Sequence, residues 1–357
     1  MRLVTLDSVK EGSRLGKSIC SADGRVLLGE GVPFKKEFIQ KLAEMGVESV
    51  YILDEKFAEL EAQLELNDII SDTTRRESIQ VTKNSLERLV KGKPIEMPKI
   101  LGAVNNILDD LLHQDTLLVN LSDIRTFDDY TFAHSVNVAV LSLIMGIALG
   151  YDQLKLRNLG VGALLHDIGK TQLSLDLLNK PGKLTEEEFA SIQKHSEYGF
   201  QIIKDNRELS VLIAHVAYQH HERYDGTGYP RGLKGTGITK FARIVAIADV
   251  YDALTADRPY RKRNLPHEAY EYLMGACGSH FDHSLVTLFL KHVAPYPAGT
   301  IVELTTGEKA VVVRQHLDCL LRPIVMVFEK DGKKLPRSFE YDLVTNPTIM
   351  IKQVLAE

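Results

Sequence analysis

The chain of 357 residues is poor in cysteine, with Cys20, Cys277 and Cys319 scattered and without CxxC spacing. An odd, dispersed set supports neither a disulfide framework nor a thiolate zinc site, and a reducing cytoplasmic setting is expected. Long apolar runs are lacking as well. The most apolar stretch, Val136 to Leu149, has 14 residues and is interrupted by Asn137 and Ser142. That is short of the roughly 20 that cross a bilayer, so it reads as a buried helix and no membrane span is expected. The first residues hold no basic segment leading into an apolar one, so no secretory signal is expected. No fixed-period repeat or low-complexity tract occurs, which excludes solenoids and linker arrays. Basic excess is absent too: the formal net charge is -5. With no basic stripe, aromatic platform or zinc-finger spacing, nucleic acid is not an expected partner.

What is present is 44% hydrophobic residues, enough for a substantial core over two or three domains. Residues 1–54 mix strand-like pieces, RVLLG and SVYIL, with Phe38, Leu42 and Met45 at helical spacing, and read as a small α+β module. Residues 55–97 form a helical connecting region. Between 54 and 72 seven acids face one lysine, a local net of -6 that reads as a solvated helix face. Pro94 and Pro98 then mark a helix stop. Residues 98–294 are all-α, with helical period over Ile100–His113, Thr131–Leu149, Asp152–His166, Thr185–Lys204, Leu209–His221, Phe241–Leu254 and Pro266–Met274. After APYPAG, residues 295–357 carry β-rich runs, TIVELTTG, KAVVVRQ and PIVMVF, separated by turn residues, and read as a β module. The fold class is therefore mainly α, with a small module at each end.

Twelve histidines are the prominent excess, and six of them lie between residues 134 and 221 of the helical domain. His166-Asp167 and His220-His221 each follow an apolar helical stretch, which would carry these side chains into the core. Metal ions compensate such burial. His134, His166, His195, His220 and His221 with Asp167 and Asp249 supply imidazoles and carboxylates suited to borderline first-row ions. Seven ligands exceed one tetrahedral site and point to two divalent ions. Such a pair, roughly 3.5–4 Å apart, activates a shared water as hydroxide for in-line attack and stabilises charge on phosphorus. The site would retain slight positive charge, which favours a phosphoester. Lys170, four residues beyond His166, is placed to neutralise a phosphate oxygen. Locally, residues 220–263 hold nine lysines and arginines against five acids, a net of +4 that favours an anionic ligand. His215 sits about 140° around its helix from His220 and reads as structural, as do His113, His267, His280, His283, His292 and His316.

HDIGK at 166–170, HHERYDGTGYPRGLKG at 220–235, ARIVAIADVYDAL at 242–254 and RPYR at 258–261 resemble the HD-GYP family in order and spacing, over roughly Pro98 to Pro295. The resemblance implies an all-helical HD-type phosphohydrolase domain and a bacterial phosphodiesterase that linearises cyclic di-GMP to pGpG or GMP. It implies iron or manganese as the metal. It further implies that Asp167 bridges two ions, with His134, His166 and Asp249 on one side and His195, His220 and His221 on the other. Members with three ions carry glutamate where this chain has Tyr130, so two are expected. The same resemblance assigns phosphate contacts to Arg258 and Arg261, a base or ribose contact to Tyr229 and a polar substrate contact to Asp252. Where the family commonly has proline, Thr239 stands here, with little consequence expected. Two alternatives accompany this reading: a cyclic-dinucleotide receptor or adaptor with little turnover, and a phosphodiesterase preferring cyclic GMP-AMP. The end modules are expected to serve regulation, through a homodimer or a signalling-protein partner.

Overall fold

The computed structural model describes residues 2–20, 26–45, 47, 49–53, 69–119, 130–178, 180, 182–256 and 264–355. Most of the acidic 54–72 segment, together with Arg258 and Arg261, lies outside them. The chain divides into two compact units, one of residues 1–68, 118–129 and 293–357, the other of residues 69–117 and 130–292.

In the first unit, β1 (Arg2–Thr5), β2 (Arg14–Leu15) and β5 (Ser49–Leu53) form an antiparallel sheet in the order β1-β5-β2, and β3 (Ile19–Cys20) pairs with β4 (Val26–Leu28). Helix α1 (Lys36–Glu44) buries Leu42 and leans Phe38 on a core of Leu6, Leu15, Ile19, Phe34 and Val50. Met45, expected on the helix's apolar face, instead follows its last turn and is exposed. The C-terminal residues form a five-stranded antiparallel sheet in the order β10-β6-β7-β8-β9, from β6 (Ile301–Leu304), β7 (Lys309–Arg314), β8 (Ile324–Lys330), β9 (Lys333–Asp342) and β10 (Ile351–Val354). Alternation along β7 sends Ala310 and Val312 to one face and Val311 and Val313 to the other, so both faces are buried. The two strands without an apolar run, β9 and β10, are the sheet's edges. Pro336 fits an edge position on β9, because proline cannot donate to a ladder.

The second unit is helical: α2 (Asp72–Val90), α3 (Met97–Leu112), α4 (Tyr130–Ala148), α5 (Gln153–Leu164), α6 (Glu186–Gln193), α7 (His195–Lys204), α8 (Val211–Gln219), α9 (Lys240–Thr255), α10 (Pro266–Gly275) and α11 (His283–Phe289), with a helical turn at Leu175–Leu178. Helix α2 belongs to this unit and packs on α3 and α4. Helix α4 is its centre: Val136, Val138, Ala139, Leu143 and Met145 are fully buried, and α2, α5 and α9 pack on it. It is long and apolar enough to cross a membrane, but most of it is buried inside the protein, as expected of a core helix. The periodic run from Thr185 to Lys204 is broken at Lys194, which ends α6 and opens α7. That break places His195 at the first position of α7.

Candidate metal centre

Five helical segments deliver the polar side chains. Ser210 caps the start of α8, and Asp152 caps α5 by accepting from the Lys155 amide. Both helices run apolar to their C-termini, where His220 and the pair His166-Asp167 emerge. The chain tightens after Asp167 into a 3₁₀ turn, Ile168–Gln172. Helix α7 packs on this turn, and only glycine fits at 169: a Cβ there would lie 1.9 Å from the His195 carbonyl oxygen. The glycine of HDIGK thus sets the spacing between Asp167 and His195. Helices α4 and α9 contribute His134 and Asp249.

Three imidazoles are oriented in the same way. Nδ1 of His166 meets the Ala163 carbonyl at 2.7 Å, Nδ1 of His195 that of Ile192 at 2.7 Å, and Nδ1 of His220 that of Ala217 at 2.9 Å. A carbonyl only accepts, so each Nδ1 carries the proton and each Nε2 presents its lone pair. Those Nε2 atoms converge on Asp167, at 3.3 Å from His166, 3.5 Å from His195 and 3.6 Å from His220. His134 is held by a carboxylate instead: its Nδ1 lies 2.7 Å from Asp252, while its Nε2 lies 3.1 Å from Asp249.

Ligand atoms of Asp167, His195, His220 and His221 lie within 4.8 Å of one another, as do those of His134, His166 and Asp167. Asp167 belongs to both sets, and Asp249 joins the second through His134. His166 Nε2 and Asp167 Oδ1 are buried without a hydrogen-bond partner. Orphaned buried lone pairs are costly unless something electropositive meets them, so the residues present fit divalent metal ions.

The electrostatics of the two aspartates and of His195 and His221 agree. Burial opposes the charge on Asp167, but Lys170, with which it is paired, and the surrounding imidazoles hold its carboxyl well below the usual range. Burial likewise opposes ionisation of Asp249, and the hydrogen bond from His134 outweighs it. Burial pushes His195 down to about 4 and His221 well below its ordinary value, which leaves neutral imidazoles, the form that ligates metals. His134 goes the other way, to about 9, because Asp249 and Asp252 outweigh its burial.

The loop after His221 is shaped by Glu222, whose two carboxylate oxygens accept the backbone amides of Arg231 (2.8 Å) and Leu233 (2.9 Å). Gly228 lies so close to the His221 carbonyl that a Cβ would come within 2.5 Å of it. This fold-back brings the Tyr229 ring onto His221, stacked at 4.8 Å between centroids.

Asp252 requires correction. Expected as a substrate contact, it is 1% exposed, with one oxygen on His134 and the other accepting from Asn137 Nδ2 at 2.8 Å. It lies three residues from Asp249, on the same face of α9, and is committed to His134 and Asn137 rather than to solvent. His215 stays outside the cluster, bonded to Gln219. Thr239 caps α9 and its amide donates to Gln219, a bond that proline could not make. Asn137 and Glu222 were not singled out from sequence. A buried asparagine three residues after His134 in an apolar run was the available signal.

Residues 112–285 match the family model described as HD domain, and residues 301–357 match that described as KOW domain associated with HD domain. A cyclic di-GMP phosphodiesterase of Pseudomonas aeruginosa is 40% identical over 245 residues, covering 69% of this chain and 59% of the relative. One of Thermotoga maritima is 32% identical over 258 residues, covering 71% of this chain and 68% of the relative. A 3'3'-cGAMP-specific phosphodiesterase of Vibrio cholerae is 37% identical over 190 residues, covering 52% and 36%. The chain thus spans 59% of the length of the Pseudomonas relative.

Proposed function

Because the chain belongs to the HD-GYP family of HD domain proteins, we propose that it is a metal-dependent phosphodiesterase that hydrolyses cyclic di-GMP to pGpG, to GMP, or to both. The observation that carries this reading is the convergence of buried Nε2 lone pairs on the Asp167 carboxylate. The donor set of imidazole and carboxylate suits iron or manganese. We favour two ions, since Tyr130 stands where a glutamate would serve a third. When bound, the ions supply activation of water and stabilisation of charge at phosphorus.

The protein's own groups do the rest. Asp167 would bridge the two halves, with His134, His166 and Asp249 on one side and His195, His220 and His221 on the other. Lys170 pairs with Asp167 and is partly exposed, so its ammonium can pass to a non-bridging phosphate oxygen. Arg258 and Arg261 would grip the second phosphate through paired N–H donors. Tyr229, stacked on His221 and with its hydroxyl pushed upward by burial, stays protonated and offers a neutral ring and donor to a base or ribose. A cytoplasmic location belongs to the same reading, with Cys277 and Cys319 both free thiols.

Relatives named for cyclic di-GMP and for 3'3'-cGAMP both match this chain, which leaves the bases to experiment. The complete ligand set favours turnover over a binding-only receptor. The test is incubation of manganese- or iron-loaded protein with equal concentrations of the two cyclic dinucleotides, with products separated by chromatography beside an Asp167→Ala control. Faster loss of cyclic di-GMP is expected. Faster loss of cyclic GMP-AMP would correct the substrate, and no loss of either would overturn the reading.

A further inference from the structure

His134 differs from His166, His195 and His220 in how its ring is held. Those three lean on carbonyls of their own preceding helical turn, which local structure fixes. His134 leans on a side-chain carboxylate from α9, and that carboxylate is one link in a longer line. Arg75 NH1 donates to Asn137 Oδ1 at 2.8 Å, Asn137 Nδ2 donates to Asp252 Oδ1 at 2.8 Å, and Asp252 Oδ2 meets His134 Nδ1 at 2.7 Å.

The chemistry of these groups gives the line a direction. A guanidinium can only donate, so the amide of Asn137 must turn its oxygen to Arg75 and its nitrogen to Asp252. An ionised carboxylate can only accept, so Asp252 takes that N–H on one oxygen and leaves the other for the Nδ1 proton of His134. With one proton kept on Nδ1 by Asp252, Nε2, the atom facing Asp249, is the one that would give up its proton to a metal ion. If the Asn137 amide turned over, its oxygen would face a buried carboxylate and the line would lose its orientation. Arg75 lies on α2, upstream of residues 112–285, the span that matches the HD domain.

We propose that Arg75 is a positioning residue for the metal centre: by orienting Asn137 it fixes, through Asp252, the tautomer and aim of His134, and so couples α2 to the half of the site holding His134, His166 and Asp249. The proposal rests on the metal-centre reading above but not on the identity of the substrate. Removing a direct hydrogen-bond partner of a metal-ligating histidine lowers metal affinity about ten- to a hundredfold, and Arg75, two hydrogen bonds beyond Asp252, should act at the lower end of that range.

The test is calorimetric titration of the metal-stripped 357-residue chain with Mn²⁺, without nucleotide. Wild type is expected to bind in two steps. Arg75→Met should weaken one step about tenfold and leave the other, from Asp167, His195, His220 and His221, unchanged, while Arg75→Lys, still a donor, should recover most of the loss. Asn137→Asp sets a carboxylate against Asp252 and should weaken the same step, so it serves if Arg75→Met does not fold. Two unchanged steps in the folded variants, equal weakening of both, or a lysine variant no better than the methionine one would overturn the proposal. Absence of any Mn²⁺ binding by wild type would overturn the metal centre beneath it, whereas a failure to hydrolyse cyclic di-GMP alongside the expected titrations would overturn only the substrate reading.

Discussion

The backbone of Gly169 lies against the carbonyl of His195 so closely that a methyl group at 169 would sit 1.9 Å from that oxygen and 2.5 Å from the Gly199 amide nitrogen. Both obstacles are backbone, which cannot swing aside as a side-chain tip can. Gly169→Ala must therefore push α7 away from the turn that carries Asp167. A destabilisation of about 3 kcal/mol, the upper end for overpacking, is expected, with weakened metal binding. Denaturant melts and metal analysis would check this, and a variant of wild-type stability and metal content would contradict it.

Glu222 offers a second point of leverage. It is 2% exposed, and its two oxygens are committed to the amides of Arg231 and Leu233. Glu222→Gln keeps the shape but turns an amide donor toward a backbone donor. The expected cost is about 1–3 kcal/mol, with faster proteolysis between residues 225 and 234 and a higher KM from a less ordered Tyr229. An unaltered cleavage rate and KM would show that the loop is held some other way.

His280 predicts a pH dependence. Burial, reinforced by the charge of Arg223, pushes its pKa down to about 4, so it is neutral in the fold, and its ring stacks on Phe281 at 4.0 Å. The unfolded chain binds a proton near pH 6.5. The folded pKa is depressed, so the associated stability is fully present above about 6.5 and drains away as pH falls toward 4. His280→Phe retains the stack without the titration, and it should lose less thermal stability than wild type between pH 7 and 4.5. Equal losses would show that other groups dominate that window.

Metal removal should destabilise the whole helical unit. Ions bound only by the folded state stabilise it by mass action, by about 2.7 kcal/mol at a free concentration a hundred times Kd. Chelation is therefore expected to lower Tm by several degrees in wild type and by much less in Asp167→Ala. An equal shift in both proteins would separate chelator effects from the centre.

The helices were legible in the sequence because apolar residues recur at helical period, and the clustered histidines together with HDIGK and the GYP loop marked the site. Less was legible where geometry, rather than composition, decides. The break at Lys194 follows from the fit of α7 against Gly169, which periodicity does not register. Strands β9 and β10 carry no apolar run because an edge strand need not bury two faces. Asp252 was expected to touch substrate on the family resemblance alone. Only the three-dimensional arrangement sets it between His134 and Asn137, and only there does Arg75, 59 residues before His134, acquire a reason to matter.

The most direct measurement of the central claim is the rate of cyclic di-GMP hydrolysis by stripped protein as Mn²⁺ or Fe²⁺ is restored in known amounts, beside Asp167→Ala. Turnover that is absent without metal, saturates near two ions per chain and never appears in the variant is the result predicted. Full turnover by the metal-free protein, or by Asp167→Ala, would contradict it.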